Sequence, residues 1–172
     1  MPFYDIIEKN FLGRTMDSTN TTKKIASFSV DHDKIGVGIY ISRIDGDIIT
    51  YDLRTRVPNN GDYLDDITMH SVEHMMATFL RNSAIKDSVI YFGPMGCRTG
   101  FYLLVRNLDN QTVLNEVKLA LQKTIDHKGE MFGNTRKECG NYKCLSLKSA
   151  KIECEKYLTA LNSQKNVTFK YE

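Results

Sequence analysis

Two runs of alternating apolar residues constrain the fold most. Ile35, Val37, Ile39 and Ile41 recur at every second position, the run breaks at Asp45-Gly46-Asp47, and Ile49, Tyr51, Leu53, Thr55 and Val57 resume the same period. A two-residue period gives a strand one apolar face, and a glycine-bearing break between two such runs predicts a β-hairpin. On the second strand Asp52, Arg54 and Arg56 share the opposite face, where they are expected to be solvated or to meet a ligand. The period then lengthens. Val72, Met75, Met76, Phe79 and Leu80 follow helical spacing and predict a helix over 66–85, capped at Asp66 or Thr68. Residues 89–92 and 101–106 read as strands around the loop Gly93-Pro-Met-Gly-Cys-Arg-Thr-Gly100. A second helix is predicted over 110–127, with Val113, Val117, Leu121 and Ile125 in one stripe and Gly129 as its stop. A third follows Ser146 and turns Leu147, Ala150, Cys154, Leu158 and Leu161 inward. Hairpins and helices in this uneven order predict an α+β class, an antiparallel sheet packed with three main helices in a single domain over 25–172. Residues 1–24, an apolar start followed by the polar run 17–24, read as a mobile N-terminal arm; either the arm is particular to this protein or the natural start is Met16.

Charge and composition narrow the function classes. Lys and Arg number 23 against 21 Asp and Glu, with no long like-charged block, so no nucleic acid or anionic membrane partner is implied. No apolar stretch is long enough to span a bilayer and the start lacks a basic-then-apolar signal, so a cytoplasmic protein is expected. Cysteines at 97, 139, 144 and 154 lack the paired spacing of a secreted scaffold. In a reducing compartment each is a core residue, a metal ligand or a reactive thiol.

His70-Ser-Val-Glu-His74 is the sharpest chemical signal. Histidines at i and i+4 on a helix reach one metal ion, and Glu73 lies within a turn of both. All three fall away from the apolar stripe, so they are not core filling; the competing explanation is a solvated face with two chance histidines. A catalytic ion takes three protein ligands, so a third must come from elsewhere. Cys139 lies in a Gly-bearing segment between helices, where it can be a ligand or a small buried hydrophobe. Cys154 fits a core position better, and Cys144 stays unassigned. Cys97 sits among glycines 93, 96 and 100, which allow unusual backbone angles and close ligand approach, and Arg98 beside it favours a thiolate. Such a cysteine serves as nucleophile, as proton carrier, or as an ordinary turn residue.

Taken together these segments resemble the S-ribosylhomocysteine lyase family, the bacterial enzymes that make the precursor of a furanone quorum-sensing signal. The resemblance rests on Ser27-Phe-Ser-Val-Asp-His32, Asp52-Leu-Arg54 with Pro58-Asn59, His70-Ser-Val-Glu-His74 with Phe79-Leu-Arg-Asn82, the 93–100 loop, and Cys139-Gly140. It implies metal ligands His70, His74 and Cys139, acid/base residues Cys97 and Glu73, and a substrate pocket including Ser27, His32 and Arg54. It also implies one divalent ion per subunit, Fe(II) or Zn(II), and a homodimer with both active sites at the interface. The implied reaction cleaves S-ribosylhomocysteine to homocysteine and 4,5-dihydroxypentane-2,3-dione, by two carbonyl shifts and a β-elimination. The chain departs from many members in having Tyr91-Phe92-Gly93 before the loop, and Cys144-Leu145 where a histidine often follows Cys139. Two rival readings are an HxxEH metallopeptidase, which takes a carboxylate as third ligand, and a structural zinc domain, for which Cys144 is the obvious fourth.

Overall fold

The hairpin forms as β1 (Gly38–Asp45) and β2 (Ile48–Arg54), antiparallel, with Gly46 in the left-handed conformation its turn requires (φ 62°). A computed structural model describes residues 22, 25 and 28–171. The 1–24 arm, apart from residue 22, and the proposed pocket residue Ser27 lie outside the described residues. β3 (Val89–Pro94) and β4 (Gly100–Arg106) make a second hairpin, and β4 pairs with β2 to give one antiparallel sheet of order β1-β2-β4-β3. The helices are α1 (Asp66–Leu80), α2 (Asn110–Asp126) and α3 (Leu147–Ser163). The expected α+β class with a single antiparallel sheet and three main helices is what the chain adopts.

The core lies between one face of the sheet and the helices. Leu53, Phe92 and Phe101 from the sheet meet Val72 and Met76 of α1, Leu121 of α2 and Cys154 and Tyr157 of α3. Ala150, Cys154, Leu158 and Leu161 turn inward as expected, while Leu147 is only half-buried. Burial of this kind contributes about 25 cal/mol per Å² of apolar surface removed from water, and it fixes which side of α1 faces the sheet. The side carrying His70 and His74 faces away.

Three local expectations need correction. The cap of α1 is Asp65, whose carboxylate accepts from the Thr68 N–H at 2.7 Å, and not Asp66 or Thr68. The helix stops at Leu80 instead of 85, because Thr78 and Asn82 spend their polar groups on nearby backbone carbonyls and Ser83 accepts from the Ile85 N–H to open a turn. Arg56 does not share a face with Asp52 and Arg54. β2 ends at Arg54, the amides of Thr55 and Arg56 both donate to the Thr99 carbonyl, and this irregularity swings Arg56 to Glu153 on α3 in a two-bond pair at 2.5 and 2.6 Å.

Candidate metal centre and cysteine cleft

One helical turn on the outer side of α1 brings the His70 and His74 rings to 4.5 Å, nearly perpendicular. The ligand atoms of His70, His74 and Cys139 all lie within 4.8 Å of one another. Each histidine is oriented by a backbone carbonyl: His70 Nδ1 donates to Cys144 O and His74 Nδ1 to Phe132 O, both at 2.8 Å. A carbonyl only accepts, so the proton sits on Nδ1 and Nε2 is left with its lone pair, as a metal ligand requires. Cys139 Sγ lies 3.4 Å from His70 Nε2 and accepts from the Asn141 N–H at 3.3 Å, which fixes the sulfur beside the ring. Two neutral imidazoles and a thiolate are a donor set that borderline-soft divalent ions accept. The residues present fit the group.

The loop around this centre is built as closely as the ligands. Gly133 has φ 65°, and a Cβ added there would stand 2.8 Å from His74 Nδ1, so only glycine lets the 132–133 backbone close on the ring. Ser71, fully buried inside the HSVEH run, donates to Ile67 O and accepts from the Ser146 N–H at 2.7 Å. That bond ties α1 to the start of α3 and holds the Cys144 carbonyl against His70. Neither residue was marked by spacing or periodicity; the glycine after Met131-Phe132 was the only available signal.

Glu73, half-buried beside both histidines, does not belong to the ligand group among the described residues. No carboxylate does, which removes the peptidase-type ligand set. Cys144 offers its carbonyl and not its thiol, so no closed four-ligand site forms from the described residues. Cys154 is core, 1% exposed, and burial pushes its thiol up to about 12.

Cys97 stands elsewhere, exposed at the tip of the β3–β4 turn. The turn is closed by the Met95 N–H to Gly100 O and the Arg98 N–H to Met95 O, both 2.9 Å. Its left-handed residue is Arg98 (φ 60°), not a glycine as expected, while Gly100 is needed because a Cβ there would collide with the Leu53 carbonyl. Cys97 Sγ is 3.0 Å from Thr99 Oγ1 and 3.9 Å from Arg54 Nη1. A cleft of about 360 Å³ opens beside it, lined by His32, Pro58, Asn59, Tyr63, Arg98 and Thr99. Cys97, His32 and Arg54 thus gather at one place, and none of the three metal-group residues lines that cleft.

Arg54 is buried, not solvated as its strand position allowed. It bonds Asp52 Oδ2 and Thr99 Oγ1, each at 2.5 Å, and its cross-strand neighbours Gly38 and Gly100 leave room for the guanidinium. Burial works against the Arg54 charge, but the Asp52 carboxylate outweighs it and raises the pKa above the ordinary arginine value. Burial raises Asp52 in turn, opposed by Arg54 and by a bond from Tyr171.

A His₂Cys group on an α+β domain could hold a metal ion through three protein ligands, the number typical of catalytic ions, since structural ions take four. The family model for S-Ribosylhomocysteinase (LuxS) matches residues 25–168, and the chain belongs to that family. It is 40% identical over 155 residues to a protein named S-ribosylhomocysteine lyase from Borrelia garinii subsp. bavariensis, covering 87% of this chain and 99% of the relative. The Finegoldia magna protein of the same name is 41% identical, over 86% of this chain and 97% of its own length. That of Porphyromonas gingivalis is 39% identical, over 79% and 89%.

Proposed function

We propose that this chain is a metal-dependent carbon–sulfur lyase that cleaves S-ribosylhomocysteine to homocysteine and 4,5-dihydroxypentane-2,3-dione, the precursor of an autoinducer signal. Family membership over residues 25–168 together with the His70, His74, Cys139 group carries this reading. In the open-chain substrate the carbonyl must move from C1 to C2 to C3 before homocysteine leaves by β-elimination, and each shift takes a proton from a carbon next to a carbonyl. His70, His74 and Cys139 would hold one divalent ion, Fe(II) or Zn(II), which supplies Lewis-acid polarisation of the substrate oxygens. Cys97 acts as a thiolate that removes and returns protons, with Arg54 favouring its charge. Glu73 handles the protons on the other side of the carbon chain, close to the histidines without being a ligand. His32, Arg54 and Ser27 belong to the substrate pocket.

The active unit is a homodimer with its two sites at the interface. Leu53 faces the helices, so its neighbour Arg54 and the adjoining Cys97 lie on the other side of the sheet, whereas His70 and His74 lie on the side of α1 turned away from the sheet. A small substrate spans both groups more readily when the cysteine cleft of one protomer meets the metal centre of its partner. Exposed Val57, Tyr63 and Ile67 near the cleft and the start of α1 supply apolar surface for such a contact. Among the described residues no helix is long and apolar enough to cross a membrane, and the four cysteines are free, which supports action in the reducing cytoplasm. Incubation of the purified protein with S-ribosylhomocysteine, followed by thiol titration of released homocysteine, tests the activity: stoichiometric release supports it, and its absence from metal-replete protein refutes it.

A further inference from the structure

The last described residues form a strap that ends at the Cys97 system. Residue Phe169 hands its carbonyl to the Ile41 N–H at 2.8 Å, which lays the segment along the open edge of β1. Its ring is buried against Tyr51 on the helix side of the sheet, at 6.3 Å between centroids. The backbone there is left-handed (φ 58°), a conformation that a bulky aromatic residue rarely adopts. The turn sends the chain around the edge, and Tyr171 stacks on Tyr40 on the other face, centroids 4.9 Å apart. Tyr40 pairs with Asp52 across the strands, and the Tyr171 hydroxyl donates to Asp52 Oδ2 at 2.8 Å. Ser42, at the irregular position of β1 between Ile41 and Arg43, lies beside the same hydroxyl.

We propose that Tyr171 is a positioning residue for Cys97, acting through Asp52 and Arg54. The chain of contacts is continuous: Tyr171 Oη to Asp52 Oδ2, Asp52 Oδ2 to Arg54 Nη2, and Arg54 Nη1 to Cys97 Sγ and Thr99 Oγ1. Asp52 and Arg54 are 1% and 3% exposed, so a carboxylate left without the tyrosine donor is not compensated by water as a surface group would be. Among the described residues Asp52 Oδ1 has no hydrogen-bond partner, which leaves Oδ2 to hold the arrangement. Losing the strap's hydroxyl frees the carboxylate to turn and lets water in beside the guanidinium, which weakens the field of Arg54 at Cys97. Tyr171 lies beyond residues 25–168, the span that the family model matches. The inference rests on Cys97 working as a thiolate in the proposed lyase.

The charged and titratable groups facing Cys97 are Arg54 and, through it, Asp52; Arg98, His32 and Tyr63 around the cleft; and Tyr102, cross-strand from Asp52. The test is the pH dependence of Cys97 alkylation by iodoacetamide in the full chain, read on the Cys97 peptide by mass spectrometry, so it does not depend on lyase turnover. Tyr171→Ala and Tyr171→Phe should both move the midpoint upward by about half a pH unit, a roughly threefold slower reaction on the acid side. Cys154 should stay unreactive in both. A midpoint that stays at the parent value, or moves down, overturns the proposal. So does a parent-like profile in Tyr171→Phe alone, since stacking on Tyr40 would then be the strap's whole effect. Exposure of Cys154 without a midpoint shift identifies a purely structural role.

Discussion

The metal group and the cysteine cleft are held in place by opposite means. His70 and His74 are side chains aimed by backbone, each pinned through Nδ1 to a loop carbonyl. Cys97 is a backbone-exposed side chain on a tight turn whose surroundings are set by other side chains, a buried arginine above all. A metal centre needs fixed directions, which carbonyls on closed loops supply with little freedom. A proton-carrying thiol needs exposure to substrate and a charge beside it, which an exposed turn and a buried guanidinium supply. The first half should fail by losing its ion, and the second by losing reactivity while the ion stays.

The largest effects break that contrast outright. His70→Ala, His74→Ala and Cys139→Ala each remove one of three donors, and elemental analysis of the purified variants should show bound metal sharply reduced. Full occupancy in any one would strike that residue from the centre. Cys97→Ala should keep its metal and its fold and release no homocysteine; Glu73→Gln, which retains size but cannot accept a proton, should do the same. Loss of metal from Glu73→Gln would reclassify the carboxylate as a ligand.

A smaller effect sharpens the claim that backbone aims the histidines. Gly133→Ala sets a methyl group 2.8 Å from His74 Nδ1 at a left-handed position, so the 132–133 loop must move and the Phe132 carbonyl with it. Metal affinity, measured by competition with a chelator, should fall by about 10–100-fold. An unchanged affinity would mean that the carbonyl contact does not orient the ring.

How much of this was legible beforehand depended on which atoms carry it. The HxxEH spacing was sufficient for the histidines because one helix holds both ligands and a rigid 3.6-residue repeat puts them on one side. Cys139 stood as a candidate on its Gly-bearing segment, and only the resemblance chose ligand over core residue, since a loop has no period to read. The carbonyls of Phe132 and Cys144 were invisible, because every residue has one and only the fold decides where it points. Alternation along β2 placed Asp52 and Arg54 correctly on one face but could not foresee that both would be buried, nor that the shared acceptor Thr99 would turn Arg56 to the helix side. The strap is too short for any periodicity to announce it.

The smallest predicted effect lies outside both halves, at Cys154. Cys154→Ala should leave activity intact and cost about 1 kcal/mol of stability at neutral pH through lost packing. The alkaline limb should differ as well. Because burial raises the thiol from 9.0 to about 12, the folded state favours the neutral form. Its contribution is therefore complete below about pH 9 and is lost as pH rises toward 12, at roughly 1.4 kcal/mol per pH unit. Denaturant midpoints taken between pH 9 and 11 should decline less steeply in the variant than in the parent, and parallel slopes would contradict the assignment of Cys154 to the core.

The central claim, that the metal group of one protomer works with the cysteine cleft of its partner, is tested most directly by mixing two inactive variants. His70→Ala and Cys97→Ala are purified separately, unfolded and refolded together in equal amounts with metal, and assayed for homocysteine release. In a mixed dimer with shared sites, one site collects both defects and the other collects none. The mixture should therefore recover about a quarter of the parent activity, from half the dimers each carrying one intact site. If each active site belonged to a single chain, every site in the mixture would carry one defect, and the mixture would stay as inactive as its components.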